Sequence, residues 1–256
     1  HLAANVGGLY KNMNKNIEMF SDNIKINENV LEACCKYDII RGVFILSSCI
    51  YTPTPSKFPM DETMIHEGPP HTSNEGYAYA KRMMEVQSRQ YNKKYNRQYI
   101  CLVPVNLYGP YDNFRRGEAH VIPELMHRFH NSKIYNHNEY VAYGTGSPLR
   151  QFLYAPDFAK IILSVLLDNV YNETTPLIVC NNEVTIRQMI ETLCESMEIP
   201  KEELTFDTDM ADGCMKKTVC NLKFKSFYPD FKFMDLKEGL KKTYTWFLEN
   251  KDNLRC

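Results

Sequence analysis

Apolar residues along this chain follow two periods. Over about residues 11–36 they recur at helical spacing, near Met19, Ile26, Val30 and Ala33, which predicts a helix. Gly42-Val43-Phe44-Ile45-Leu46 is instead a continuous apolar run, the pattern of a strand buried on both faces, and it ends in the polar cluster Ser47-Ser48-Cys49. A loop rich in proline and acid passes through Gly68-Pro69-Pro70, and a helix is expected over about 76–92. Tyr99-Ile100-Cys101-Leu102-Val103 predicts a second buried strand, stopped by Pro104 and Gly109-Pro110. Beyond it the pattern predicts helices over about 123–130 and over 152–167 after a short extended entry, then a third strand at 176–180. Thr185 is placed to cap the next helix, and a surface helix over 234–250 carries Leu240, Trp246 and Phe247 on its apolar side. Strands alternating with helices imply an α/β fold with a parallel sheet. Ligands of such sheets sit at the carboxyl ends of strands, which makes Ser47-Ser48-Cys49 and Asn106 candidates by position.

Composition narrows the classes. With 256 residues, 44 % of them apolar, a sizeable core is possible. Thirty basic and 31 acidic side chains leave a net charge of −1, so charge gives no argument for nucleic acid or an anionic membrane as partner. No apolar run approaches the ~20 residues of a spanning helix. Nine cysteines without a CxxC pair read as free thiols of a reducing compartment, the cytoplasm, and no metal site is expected.

The sharpest chemical signal is Tyr77-Ala78-Tyr79-Ala80-Lys81. On a helix, Tyr77 and Lys81 share one face. A nearby ammonium lowers a phenol from its usual value of about 10, making it a usable acid, and a hydroxyl such as Ser47 could share the hydrogen bond to a carbonyl substrate. The plainer alternative is an ordinary helix face. Cys49 and His120 form a second pair, since a thiol and an imidazole can both exchange protons next to a ketone; the alternatives are a small buried hydrophobe and a loop or capping histidine. His127 and His130 are spaced i, i+3, but no matching carboxylate supports a metal, and Arg128 between them suggests an anion site. Arg150, beside Gly144-Thr145-Gly146, is a second candidate phosphate ligand or a surface ion-pair partner.

Taken together, the segments HLAANVGG, LSSCIY, PMDET, YAYAKRM, VPVNLYGPYDNF, AHVIPELMHRFH, YGTGSPLRQFLY, FDTDMADG and TYTWFLENKDNLR resemble the GDP-L-fucose synthases of the extended short-chain dehydrogenase class. They span nearly the whole chain in family order. The resemblance implies a Rossmann-type fold, NADPH as cofactor, a GDP-sugar as substrate, and a homodimer formed through the helices of about 11–36 and 77–92. It implies Tyr77 as proton donor to the C4 oxygen, Lys81 as the group that lowers its pKa and holds the nicotinamide ribose, and Ser47 as second donor to that oxygen. Cys49 and His120 would invert C3 and C5. Ile45, Leu46, Ser47, Ser48, Pro104, Val105, Asn106 and Leu107 would line the cofactor, together with Tyr77, Lys81 and His120. Arg128, Tyr143, Arg150 and Asp212 would contact the substrate.

Two departures touch the substrate side: Tyr143 stands where the family usually has tryptophan, and Met210-Ala211 where it commonly has lysine-proline. A third is larger, since no GxGxxG occurs in the chain. The resemblance puts that loop upstream of His1, within roughly 60 further residues at ~30 per βα unit, so the chain is expected to be N-terminally truncated. The expected division is a cofactor domain of residues 1–107 and 151–180 and a substrate lobe of 108–150 and 181–256. A related nucleotide-sugar epimerase or dehydratase, or an inactive truncated substrate-binding protein, are the alternative functions.

Overall fold

A computed structural model describes residues 1–135, 137, 139–210 and 212–254, so Ala211 and Arg255 lie outside the described residues. In chain order the elements are α1 (Leu9–Asn14), α2 (Asn16–Lys36), β1 (Arg41–Ile45), α3 (Glu75–Tyr95), β2 (Gln98–Pro104), β3 (Asn106–Tyr108), α4 (Val121–Ile134), β4 (Tyr140–Tyr143), β5 (Leu149–Tyr154), α5 (Ala155–Leu167), β6 (Leu177–Val179), β7 (Glu183–Thr185), α6 (Ile186–Ser196), β8 (Leu204–Asp207), α7 (Leu222–Phe227) and α8 (Leu236–Asn250). They form two compact units. The first comprises His1–Val105, Asp157–Cys180 and Val219–Lys232, and the second Asn106–Pro156, Asn181–Thr218 and Phe233–Cys256.

The first unit is built on a parallel sheet of order β1-β2-β6, with Arg41 to Ile45 in register with Gln98 to Leu102. Buried faces on both sides explain why these strands read as continuous apolar runs: Val43, Phe44, Ile100 and Leu102 are all nearly inaccessible. Helices α2 and α3 pack together, and Gly76 is required where they meet, because a Cβ there would strike the Asn16 carbonyl. The Asn16 side chain accepts from the Gly76 N–H at 2.8 Å, so the same spot is also a hydrogen bond. Asn92, at the end of α3, answers both backbone groups of Tyr99: it donates to the carbonyl at 2.9 Å and accepts from the N–H at 2.8 Å. On the other edge, the Glu62 carboxylate accepts from the Ile178 N–H at 3.0 Å and so closes part of the β6 margin.

The second unit has a sheet of order β3-β5-β7, parallel then antiparallel, and a separate parallel pair, β4 with β8. Its core joins Phe114, Met126 and Phe129 to Leu193, Leu240 and Phe247. The helix at the tail buries Leu240 and Phe247 in this core, with Trp246 partly buried against it.

Several expectations need correction. The first long helix is two, broken at Lys15 (φ −131°, ψ 39°). Residues 152–154 are strand, paired with β3, and helix begins only at Ala155. The segment 219–232, expected in the substrate lobe, belongs to the first unit. Val219 bridges Met60, the Cys220 N–H donates to the Met60 carbonyl at 2.7 Å, and Phe224 is fully buried. Thr185 caps α6 as expected, with Gln188 completing a capping box.

Asn92→Ala should leave two buried backbone groups of β2 unpaired. Urea unfolding should read a loss of about 2 kcal/mol or more. A loss under about 0.5 kcal/mol would mean that the pair of bonds does not hold α3 to β2.

Candidate active site

In the first unit, three segments bring candidate residues together: the carboxyl end of β1, the 3-10 turn Ser48–Ile50, and the first half of α3. Past Ile45 the chain stays on the sheet for one residue, because the Leu46 N–H donates to the Leu102 carbonyl at 2.8 Å. Ser47 then caps the turn, its Oγ accepting from the Cys49 N–H at 3.3 Å. Cys49 is buried, 7 % exposed. On α3 the i, i+4 spacing puts Tyr77 and Lys81 on one face, with the Lys81 ammonium 5.8 Å from the centre of the Tyr77 ring. Lys81 is only 3 % exposed, and its Nζ donates to the Ile45 carbonyl at 2.8 Å.

Burial dominates the electrostatics. It pushes the Lys81 ammonium down to about 8. It pushes the Tyr77 phenol up, with the neighbouring Cys49 adding to the rise. The expected lowering of Tyr77 by Lys81 is therefore not what this environment produces, because desolvation of a phenolate outweighs an ammonium that is turned toward Ile45. Among the described residues the Tyr77 hydroxyl makes no hydrogen bond, so its proton is available to a bound group.

These residues fit the nicotinamide-ribose end of a dinucleotide. A buried ammonium with donors to spare, an unengaged phenol and a serine hydroxyl all stand at the carboxyl end of a parallel strand. Pro104 ends the neighbouring strand and Val105 follows it, and both are buried. Asn106 and Leu107 belong instead to β3 of the second unit, where the Asn106 amide donates to the Gln151 carbonyl at 2.9 Å.

His120, also in the second unit, occupies the cap position of α4, but its side chain makes no capping bond and is exposed. His127 Nδ1 meets the Phe114 carbonyl at 2.8 Å and His130 Nδ1 meets the Tyr244 hydroxyl at 3.1 Å, so the two rings serve separate partners. Arg128 donates to the Val141 carbonyl and lies over the Tyr143 ring at 4.8 Å, a cation–π contact. Both line a cavity of about 490 Å³ with Arg116, Asn131, Tyr135 and His137. The last four had no sequence signal, since Arg116 precedes α4, Asn131 lies on it, and Tyr135 and His137 follow it. Arg150 is half-buried and donates to its own strand at the Leu149 carbonyl, 2.8 Å away. Asp212 spends both carboxylate oxygens on Thr145, at 2.7 Å to its N–H and 2.6 Å to its hydroxyl. Those bonds hold it below the usual carboxylate range. Gly144, at φ +84°, is needed beside it because a Cβ would lie 2.5 Å from the Asp212 Oδ1.

Residues 1–176 match the NAD dependent epimerase/dehydratase family. The chain is 45 % identical to the GDP-L-fucose synthase of Dictyostelium discoideum, over 100 % of this chain and 79 % of that protein. It is 35 % identical to the GDP-L-fucose synthase of Escherichia coli, over 99 % and 80 %. A crystal structure of a GDP-L-fucose synthetase from Naegleria fowleri bound to NADP superposes with a TM-score of 0.89 at 37 % identity, covering 99 % of this chain and 77 % of that one.

The buried lysine gives a direct measurement. The 13Cε resonance of Lys81, assigned with Lys81→Gln, should titrate near pH 8. A midpoint at the ordinary lysine value of about 10.4 would mean that the side chain is hydrated rather than enclosed.

Proposed function

We infer the reaction from one premise: the chain belongs to the NAD dependent epimerase/dehydratase family and, within it, to the GDP-L-fucose synthases. It is an NADPH-dependent enzyme that inverts C3 and C5 of GDP-4-keto-6-deoxy-D-mannose and reduces C4, yielding GDP-L-fucose. The observation that carries this reading is the grouping of Ser47, Cys49, Tyr77 and Lys81 around the end of β1.

The C4 ketone makes the hydrogens on C3 and C5 acidic, since loss of either leaves an enolate. Ser47 and Tyr77 donate hydrogen bonds to the C4 oxygen and stabilise that charge. Cys49 and His120 take and return the protons on C3 and C5, as a thiol and an imidazole can. NADPH, when bound, supplies the reducing chemistry at C4. Tyr77 then gives its proton to the C4 oxygen, which a phenol held neutral by burial is suited to do. Lys81 holds the nicotinamide ribose. Ile45, Leu46, Ser48, Pro104, Val105, Asn106, Leu107 and His120 are the residues we assign to the cofactor.

Arg128 and Arg150 hold the diphosphate, and Tyr143 packs on the nucleotide. For Asp212 the supported role is indirect, since its carboxylate fixes the Gly144-Thr145 turn just past Tyr143. We further read the protein as a cytoplasmic homodimer. Eight cysteines are free thiols among the described residues, and no described helix is long and apolar enough to cross a membrane. Met13, Ile17 and Phe20 expose an apolar stripe along α1 and α2 that suits a second copy.

Mixed with NADPH and GDP-4-keto-6-deoxymannose, the protein should oxidise the cofactor, and Tyr77→Phe should slow this about 100-fold or more. The same sample should scatter light as a dimer. Cofactor oxidation that Tyr77→Phe leaves intact would remove Tyr77 from the chemistry.

A further inference from the structure

Arg82 sits next to Lys81 on α3 and is as deeply enclosed, 5 % exposed. Its guanidinium donates to the Ile50 carbonyl, and to the Gly68 carbonyl at 2.9 Å, and it lies 5.5 Å from the centre of the Tyr79 ring. Its Nε is buried without a partner, and among the described residues no carboxylate pairs with it. A buried cation balanced by two carbonyl dipoles and a ring face, with no carboxylate, is costly to keep. The segments it joins suggest why it is kept.

Ile50 closes the turn that carries Cys49. The turn's own bonds are long: 3.2 Å from the Ile50 N–H to Ser47, 3.4 Å from the Tyr51 N–H to Ser48, and 3.3 Å from the Cys49 N–H to the Ser47 hydroxyl. Ser47, by contrast, comes directly after Leu46, which is fastened to β2 at 2.8 Å. The strand end is therefore held by the sheet and by Lys81, while the turn beyond it is gripped from α3 by Arg82. Gly68, the second carbonyl partner, approaches Thr52 just past the turn, so the same side chain also ties down the returning loop.

We propose that Arg82 is a positioning residue for proton transfer at Cys49, fixing the Ser48–Ile50 turn against α3 so that inversion depends on it far more than reduction at C4. This rests on the assignment of Cys49 to the inversion step. Loosening the turn should misplace the thiol while Ser47, Tyr77 and Lys81 stay where they are. The unepimerised ketone would then be reduced before it is inverted.

The test compares the unsubstituted protein with Arg82→Met and Arg82→Lys, using GDP-4-keto-6-deoxymannose in D2O. Deuterium entry at C3 and C5 is followed without NADPH, and the products are analysed with it. Arg82→Met should slow exchange about 100-fold, the scale of a 1 Å misplacement, and shift the product toward a C4-reduced sugar with uninverted C3 and C5. Arg82→Lys, which keeps one donor, should recover part of both. If Arg82→Met lowers exchange and reduction in proportion, with an unchanged product ratio, its role is only structural and the proposal falls. Unaltered exchange would overturn it as well. An unsubstituted protein that exchanges no deuterium would instead defeat the functional reading itself, and this proposal with it.

Discussion

The hydrogen bond from the Lys81 ammonium to the Ile45 carbonyl joins the helix that carries Tyr77 to the strand end that carries Ser47. It forms because β1 pairs in parallel with β2, while α3 packs on β2 and on the turn Ser48–Ile50 that follows β1. Enclosing the bond has an electrostatic consequence. The charged form of Lys81 loses hydration, and the phenolate form of Tyr77 is disfavoured for the same reason. The protein thus keeps the Tyr77 phenol neutral and Lys81 as a cation that gives up its charge more readily than a surface lysine.

Two arginines, half-buried Arg41 and buried Arg82, share a common logic. Arg41 donates to the Gln98 side chain and to the carbonyls of Val165 and Tyr171, at 2.8, 2.6 and 2.7 Å. Arg82 does the same with Ile50 and Gly68. Each uses the planar spread of guanidinium donors to satisfy carbonyls that belong to different segments, a task the single ammonium of lysine performs less well. Arg41 thereby fastens the start of β1 to the region around α5, and Arg82 fastens the turn beyond the end of β1. Charge is used here for joining backbone that no regular ladder can reach.

In the second unit, a different constraint sets the surface offered to a ligand. The parallel pair β4 and β8 brings Tyr143 opposite Asp207, and the chain then turns sharply at Gly144. Asp212 locks that turn through Thr145, while Arg187 donates to the Thr145 carbonyl at 2.8 Å and lies 3.7 Å from the centre of the Phe206 ring. Tyr143 is left exposed at the end of its strand with Arg128 stacked upon it. An aromatic ring and the cation stacked on it thus both line the cavity beside α4.

Local pattern was enough to read the parallel strands, the face shared by Tyr77 and Lys81, and the cap at Thr185, because each depends on residues within a few positions of one another. Resemblance added the pairing of distant segments to one chemistry. Short strands such as β3, β4 and β8 were illegible, since three or four residues carry no period that differs from a loop. The packing of 219–232 was illegible as well, because only contacts with distant residues such as Met60 and Cys180 place it. The sign of the shift at Tyr77 could not be read either: spacing announces the ammonium, but only burial decides that desolvation prevails. Asp212 shows the same limit, an acidic residue whose partner, Thr145, is 67 positions away. The sequence by itself determined which groups could do chemistry and which elements would carry them. Tertiary structure decided which groups are dry, which are already engaged and which remain open to a substrate, because hydration and hydrogen-bond partners are properties of the packed chain and not of its order.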